Sequence, residues 1–253
     1  MSVELGTASL VTLLLASIRI TAWMAISPPF ATSGIPRTIR VMLGVGLAFA
    51  VTGVAREHAP AAELAPLVSS AVEQLVIGAS LGFITRLLFA AVESAGSLID
   101  LTGGFSMAMA YDPMTSNTNS VIGKFYSLLA TTLIFASGAH LVIIGGFMRT
   151  FTVLPLDSTI SLSNLGSTLT QGMTNMFIAA LQIAGPLVAV LFLSDVALGL
   201  LSRVSPQLNI FQISFPLKIG LTLGLLGLMF ATMPRVVTEL ANSAAGLMIG
   251  VGS

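Results

Sequence analysis

Cysteine is absent from this chain of 253 residues. Its absence excludes disulfide bonds, thiolate metal sites and a cysteine nucleophile. Charged side chains are also scarce, at 8% of the sequence, whereas a soluble domain carries about 25%. Hydrophobic residues make up 55%, so a solvated surface cannot be built from what remains. The composition predicts a protein that is integral to a membrane or buried in a membrane-associated assembly.

The charges balance to a formal net charge of +0. No basic face is available to meet phosphates, which argues against binding to nucleic acid. The few histidines and carboxylates lack metal-ligand spacing, so we expect neither a metal nor a cofactor. Glu4 is the only charge before Arg19. Because a signal peptide begins with a basic region, we expect residues 6–26 to form a retained helix.

Long apolar segments separated by proline-containing breaks predict an all-α membrane protein built from helical hairpins. Positive charges are spread over several loops, so their distribution does not set the orientation in the membrane. The sequence shows no separate hydrophilic region, and we expect a single helical domain over residues 1–253. The predicted helical segments are residues 6–27, 37–55, 66–101, 121–148, 165–201 (a hairpin or a pair kinked near Gly185-Pro186) and 210–233, followed by a short amphipathic tail to Ser253.

The third segment is too long for one simple crossing. As a helix, residues 66–101 would extend about 54 Å, against a hydrocarbon core of about 30 Å. We expect a long bent helix that projects beyond the bilayer or packs inside an assembly. Arg86, Glu93 and Asp100 recur every seven residues along it, close to one stripe. A proton path is one interpretation. We favour contacts with charges of neighbouring subunits, together with Lys124 and Lys218, because buried charges need partners.

Residues 78–82 match the G-x-S-x-G pattern of serine hydrolases. In those enzymes the serine lies on a strand-to-helix elbow, whereas here Ser80 falls within an apolar helical run. An intramembrane protease pairing Ser80 with His140 remains an alternative. We favour close helix packing through Gly78 and Gly82, and a His140 that is hydrogen-bonded between helices. The chain is therefore not expected to be an enzyme.

A loop rich in methionine and glycine follows the third segment. It is too apolar for a solvated loop and too broken for a spanning helix, so protein or water must surround it. Gly103 and Gly104 would supply a hinge. Flexible thioether side chains suit a deformable seal that blocks ions yet yields to a wide substrate; a re-entrant packing turn is the alternative. The predicted pore plug comprises Phe105, Ser106, Met107, Ala108, Met109, Ala110, Tyr111, Asp112 and Pro113.

These blocks resemble the FliR family of flagellar biosynthetic proteins over essentially the whole chain. One departure lies at Thr102 and Gly103, where the family would carry a glutamine and a bulky apolar residue. The most specific matches are the central block that ends at Asp112-Pro113 and the C-terminal block around Pro206 and Lys218. The matching segments are residues 28–30, 36–40, 99–101, 104–108, 112–113, 120–126, 151–156, 205–211 and 215–218, together with His140.

The resemblance implies a subunit of the flagellar type III protein export gate in the bacterial inner membrane, at the flagellar basal body. Expected partners are FliP and FliQ within the gate, FlhB and FlhA beside it, the lipid membrane, and unfolded flagellar export substrates. The family's central loop plugs the pore, and the matching positions here are about 105–113. About residues 1–200 would form a FliP-like part and about 201–253 a FliQ-like end.

Two alternatives to a flagellar gate subunit remain at this point. One is the homologous subunit of a virulence injectisome, which shares the same class of function. The other is an independent small-solute transporter. A transporter is expected to show inverted repeats with two matched broken helices. The sequence has one strongly broken segment, which favours the gate subunit.

Overall fold

A computed structural model describes residues 2–28, 30–31, 35–55, 60, 63–105, 120–159, 161–207 and 209–252. This part of the chain is helical and contains no strand, which confirms the all-α prediction. The helices are α1 (Ser2–Ile26), α2 (Arg37–Ala55), α3 (Leu64–Gly103), α4 (Val121–Ala136), α5 (Ala139–Val153), α6 (Leu162–Val204), α7 (Ile210–Phe230) and α8 (Met233–Gly250).

The third helix has the predicted length, and its bend stays a prediction. α3 contains 40 residues without a break, which corresponds to about 60 Å of helix. Pro66 lies in its first turn, where the missing backbone N–H has no intrahelical partner to lose. The buried residues of α8, which include Met233, Val237, Ala241 and Met248, follow a helical spacing. The expectation of an amphipathic tail is therefore confirmed.

One segment prediction is wrong, and one alternative of a second is excluded. Residues 121–148 do not form one helix, because α4 ends at Ala136 and α5 begins at Ala139. Gly138 between them has φ +74°, a left-handed conformation that ends helices and that glycine adopts without strain. Of the two alternatives for residues 165–201, the hairpin is wrong, since Pro186 lies inside the continuous α6; the kink near Gly185-Pro186 stays a prediction. A proline removes one backbone hydrogen bond, and here the helix continues past it.

Four helices in the described part of the chain are long and apolar enough to cross a membrane: residues Gly6–Ile26, Leu64–Gly103, Leu162–Val204 and Gln212–Phe230. The number becomes five if α4 and α5 together count as one broken span. The outer faces of α6 and α7 carry large exposed apolar side chains, such as Phe177, Phe192 and Leu228. These faces suit lipid or protein neighbours and do not suit water.

The chain divides into two compact units that alternate along the sequence. Unit 1 comprises Met1–Leu88, Gly138–Thr174 and Glu239–Ser253, and unit 2 comprises Phe89–Ser137 and Asn175–Thr238. Each unit therefore combines segments that are distant in the sequence. The predicted division near residue 200 into a FliP-like and a FliQ-like part stays a prediction.

In unit 1, α1 crosses α3 at Gly78 and Gly82. A Cβ at Gly78 would meet the backbone carbonyl of Arg19 and lie 2.8 Å from the Cβ of Ala22. A Cβ at Gly82 would lie 2.9 Å from the carbonyl oxygen of Trp23. Only glycine permits this separation, because the obstructing atoms include backbone atoms of α1. The predicted close packing through this glycine pair is confirmed.

Arg19 is fully buried beside this crossing. Its Nε donates to Oε1 of Gln74 at 2.6 Å, its Nη2 donates to the carbonyl of Leu154 at 2.9 Å, and its Nη1 reaches the carbonyl of Thr150 at 3.3 Å. The guanidinium carbon also lies 4.4 Å from the centroid of the Phe151 ring. Arg19 therefore faces protein within its own unit, which avoids the cost of a charge exposed to lipid.

The electrostatic partner of Arg19 is a helix end. Thr150 and Leu154 lie at the C-terminus of α5, where the last carbonyls carry partial negative charge and stabilise a cation. The carbonyl of Thr150 also accepts the backbone N–H of Leu154 at 2.8 Å. Gln74 extends this network, because its Nε2 donates to the carbonyl of Leu156 at 3.3 Å. Arg19 and Gln74 thus join α1 and α3 to the turn that follows α5. In the described part of the chain, Arg19 makes no ion pair with a carboxylate.

An aromatic cluster completes the core of unit 1. Trp23 stacks on Phe147 at a centroid distance of 4.4 Å, and its Nε1 donates to Oγ1 of Thr85 at 3.1 Å. Phe30 packs on the same indole at 5.5 Å. Arg19 and Trp23 are one helical turn apart on α1, so a single face of α1 provides both the buried charge and the largest ring.

The crossing of α1 and α3 predicts opposite effects for two glycine-to-alanine changes. Gly78→Ala is expected to lower the melting temperature, because the added methyl meets backbone and overpacking costs about 1–3 kcal/mol. Gly46→Ala has no atom within 4 Å of the added Cβ. It is expected to be neutral or stabilising by up to about 1 kcal/mol, through helix propensity. Thermal unfolding of the purified protein in detergent measures both; equal effects would contradict the crossing.

The network of Arg19 predicts strong coupling to Gln74. Arg19→Met removes the charged donor from Oε1 of Gln74 and from the carbonyl of Leu154, and a hydrogen bond to a charged group is worth about 1.5–3 kcal/mol. Gln74→Leu alone removes one partner from the guanidinium. The loss of unfolding free energy caused by Gln74→Leu is expected to be smaller in the Arg19→Met background than in the wild type. A double-mutant cycle of unfolding free energies measures this, and additive effects would exclude the network.

Candidate functional site at the end of the third helix

The end of α3 packs tightly in unit 2. Gly103 is buried, and a Cβ there would lie 2.8 Å from Oγ1 of Thr222. Gly104 has φ +85°, and a Cβ there would lie 3.2 Å from Cδ1 of Phe215. A left-handed glycine just after a helix is a common helix stop. Both predicted hinge glycines therefore lie where α3 stops against α7, and their hinge role stays a prediction.

Thr222 was not identified from the sequence as a site residue. It is fully buried, and its hydroxyl oxygen has no hydrogen-bond partner in the described part of the chain. Phe215, Lys218 and Thr222 are spaced three and four residues apart on α7, so they lie on one helical face. This spacing, next to Pro216, was the feature of the sequence that could have identified Thr222 as part of the site. The face opposes the end of α3 at Gly103 and Gly104.

The start of α4 is fastened to α3. Asp100 is 3% exposed, and its Oδ1 accepts from the backbone N–H of Ile122 at 3.2 Å. Ser120 caps the same helix by accepting from the N–H of Gly123 at 2.8 Å. A carboxylate and a serine at a helix N-terminus satisfy its free N–H groups. Gly96 permits close contact here, since a Cβ would lie 2.8 Å from the Cα of Gly123.

The end of α3 and the start of α4 are therefore both held by contacts within unit 2. Phe105, the first predicted plug residue, lies beside Gly103, with Cδ2 of its ring 3.3 Å from the position of a Cβ on that glycine. The other predicted plug residues, Ser106 to Pro113, lie outside the described residues. The structure therefore defines where the loop begins and where it returns.

The five predicted inter-subunit charges have different surroundings. Arg86, Glu93 and Lys124 are exposed. Asp100 instead has a partner within its own chain, the start of α4. Lys218 also has one: its Nζ lies 2.7 Å from Oδ1 of Asp195, and the two side chains are 17% and 49% exposed. Contacts of these five residues with neighbouring subunits stay a prediction.

The serine of the hydrolase-like pattern lies in continuous helix. Ser80 donates from its hydroxyl to the carbonyl of Val76 at 2.8 Å, within α3. It therefore lacks the strand-to-helix elbow that exposes a hydrolase nucleophile. His140 lies in the first turn of α5 and is partly exposed. Among the described residues, no three His, Cys, Asp or Glu side chains are grouped to hold a metal ion.

Comparison with known proteins identifies the class. A model of "Bacterial export proteins, family 1" matches residues 10–244, and the chain belongs to that family. It is similar to the flagellar biosynthetic protein FliR of Escherichia coli (strain K12), with 34% identity over 224 residues, or 87% of this chain and 83% of that protein. FliR of Bacillus subtilis (strain 168) is 33% identical over 83% of this chain and 82% of its own length.

A relative with a different name matches a shorter stretch. The surface presentation of antigens protein SpaR of Shigella flexneri is 31% identical over 148 residues, which cover 58% of this chain and 56% of that protein. The resemblance to the FliR family is confirmed. With its apolar helices, the chain is an inner-membrane component of the bacterial export apparatus.

The surroundings of Asp100 predict how substitutions there behave. Asp100→Asn keeps an oxygen that can accept from Ile122, whereas Asp100→Leu does not. If the carboxylate acts mainly within its own chain, Asn is expected to retain most stability and Leu to lose about 1–3 kcal/mol. Melting temperature and co-purification with the export apparatus are measured for both. Loss of co-purification by Asn as complete as by Leu, without a change in melting temperature, would favour an inter-subunit ion pair.

Proposed function

We propose that this chain is a subunit of the flagellar type III export gate and that residues 105–113 plug its pore. Unfolded flagellar substrates would cross the inner membrane at the basal body through the assembly that it completes. The observation that carries the proposal is the fastening of both loop ends: Gly103 and Gly104 against α7, and the start of α4 against Asp100. Membership in the export protein family supports the same role.

The physical requirements of a gate support the plug. A pore for an unfolded chain must block water and ions at rest and widen when a substrate arrives. A loop that is deformable in its middle and fixed at its ends fits both requirements, since hydrophobic constrictions exclude ions by dewetting. Met107 and Met109 would supply the seal, because thioether side chains adapt to irregular surfaces. Gly103 and Gly104 would be the hinge about which the loop moves while the end of α3 stays against α7.

The surface of the chain supports assembly with partners. Arg86 and Glu93 are exposed charges on α3, a helix apolar enough to cross a membrane. In lipid such charges are costly, so they require protein or water beside them. We infer that they contact neighbouring gate subunits, with Lys124 at the start of α4. FliP and FliQ would be the partners inside the gate, and FlhB and FlhA those beside it.

The gate requires no chemistry from this chain. The export subunit would only shape a passage, so we propose that it is not an enzyme. The homologous subunit of a virulence injectisome is the second candidate function. The similarity to SpaR over 148 residues supports this second candidate. The matches to FliR cover more of the chain, which supports the flagellar assignment.

Shortening of the loop tests the plug. Deletion of residues 106–110 leaves Phe105 and the fastened ends of α3 and α4 in place. It is expected to increase ion leakage through the assembled gate and to impair swimming, because the seal is removed while the walls remain. The measurement is the loss of membrane potential in cells that carry the variant, followed in parallel with motility.

The control replaces Met173, an exposed methionine on α6, by serine. This change is expected to leave ion leakage unchanged. A deletion variant that enters the export assembly normally and leaks no more than the wild type would remove the plug assignment. The co-purification of the deletion variant with the other membrane subunits establishes that assembly is intact.

A further inference from the structure

The first turns of α3 line a shallow, open apolar depression in unit 1, which we call the groove. Leu64, Val68 and Val72 are 81%, 56% and 56% exposed, and they repeat every four residues along one face. The opposite face of the helix already packs within the chain, because Gln74 is buried with Arg19 and Gly78 contacts α1. The groove is lined by Leu64, Ala65, Val68, Ser69, Val72 and Glu73.

Neither water nor lipid suits this surface. A contiguous row of exposed branched side chains is unfavourable in water, and such rows mark interaction sites. Lipid would accept the row but not Glu73, whose carboxylate at the rim is partly exposed and has no ion pair in the described part of the chain. An ionised side chain in an apolar environment needs a partner of opposite charge. A protein surface that is apolar with one basic group meets both conditions.

We propose that the groove binds a membrane helix of a neighbouring export-apparatus subunit, and that this helix carries a lysine or arginine opposite Glu73. The proposal rests on the assembly argued above and names one of its contact surfaces. Apolar side chains of the partner helix would lie along Val68 and Val72, since rows four residues apart form the ridges and grooves of packed helices. The basic group would set the register of the contact.

A second copy of this chain fits the groove poorly. Two copies related by a two-fold axis would place groove against groove. An antiparallel pair centred on Val68 brings Glu73 opposite Glu63, and a parallel pair brings the two Glu73 carboxylates together. α3 has no basic residue between Leu64 and Arg86 to relieve either repulsion. The charge of the groove therefore favours a different, basic chain.

The test combines a photocrosslinking amino acid at Val68 with charge reversal at Glu73. The full chain is expressed with the complete export apparatus, and the adduct is identified by mass spectrometry. The expected adduct contains a membrane subunit that also co-purifies with the wild-type chain. Glu73→Lys is expected to reduce its yield at least about tenfold, because like charges across an interface strongly disfavour it. Replacing the facing lysine or arginine of the partner by glutamate is expected to restore the yield.

Matched controls separate the contact from a folding defect. Glu63→Lys makes the same change at an exposed carboxylate that does not line the groove, and is expected to keep the adduct. Melting temperatures of Glu73→Lys and Glu73→Gln are expected to match the wild type, since the carboxylate has no partner within the described part of its own chain. A crosslinker at Phe49, exposed on α2, shows whether labelling is specific to the groove.

Several outcomes would overturn the proposal. These are an adduct with a second copy of the chain, labelling of lipid alone, and a yield that does not respond to Glu73→Lys. If the wild-type chain still co-purifies with the apparatus and cells swim, the groove assignment fails while the export role stands. If the wild-type chain co-purifies with no membrane subunit, the proposed function fails as well.

Discussion

The buried guanidinium of Arg19 is the constraint on which unit 1 depends. A cation in the interior of an apolar helix needs several acceptors at once, and here they come from Gln74 on α3 and from the end of α5. A planar group with five donors in a fixed fork meets separated acceptors better than an ammonium does. The charge therefore fixes the rotation of α1 and α3 and the position of the chain after α5. The neighbouring glycine crossing at Gly78 brings the two helices close enough for this contact.

The same combination of glycine and a buried polar group recurs in unit 2. Gly96 brings α3 onto the start of α4, and Asp100 accepts a backbone N–H there. Gly103 and Gly104 bring the end of α3 onto α7. Where a soluble protein would rely on water to satisfy polar groups at its helix ends, this chain uses its own side chains at close range. As a result, the two helix ends that residues 106–119 link along the chain are both fixed in position.

The sequence predicted the helices better than their contacts. Low charge and long apolar runs are local signals, and they were sufficient for the all-α fold and for the packing role of Gly78. The break at Gly138 was missed, because an isolated glycine among apolar residues is also common inside membrane helices. The acceptors of Arg19 and the role of Asp100 at α4 depend on residues distant in the sequence, and a single sequence contains no signal of that pairing. Thr222 was missed although its helical spacing from Phe215 and Lys218 is visible in the sequence, because the contact with Gly103 is not.

The most direct test of the proposed gate places a photocrosslinking amino acid at Met107 and arrests a flagellar substrate during export by fusing it to a stably folded domain. If residues 105–113 lie in the path of the exported chain, irradiation is expected to join this protein to the arrested substrate, and no such adduct is expected without the substrate. If Met107 is labelled only by lipid while the same arrested substrate crosslinks to other gate subunits, the account of the loop as a pore plug is contradicted.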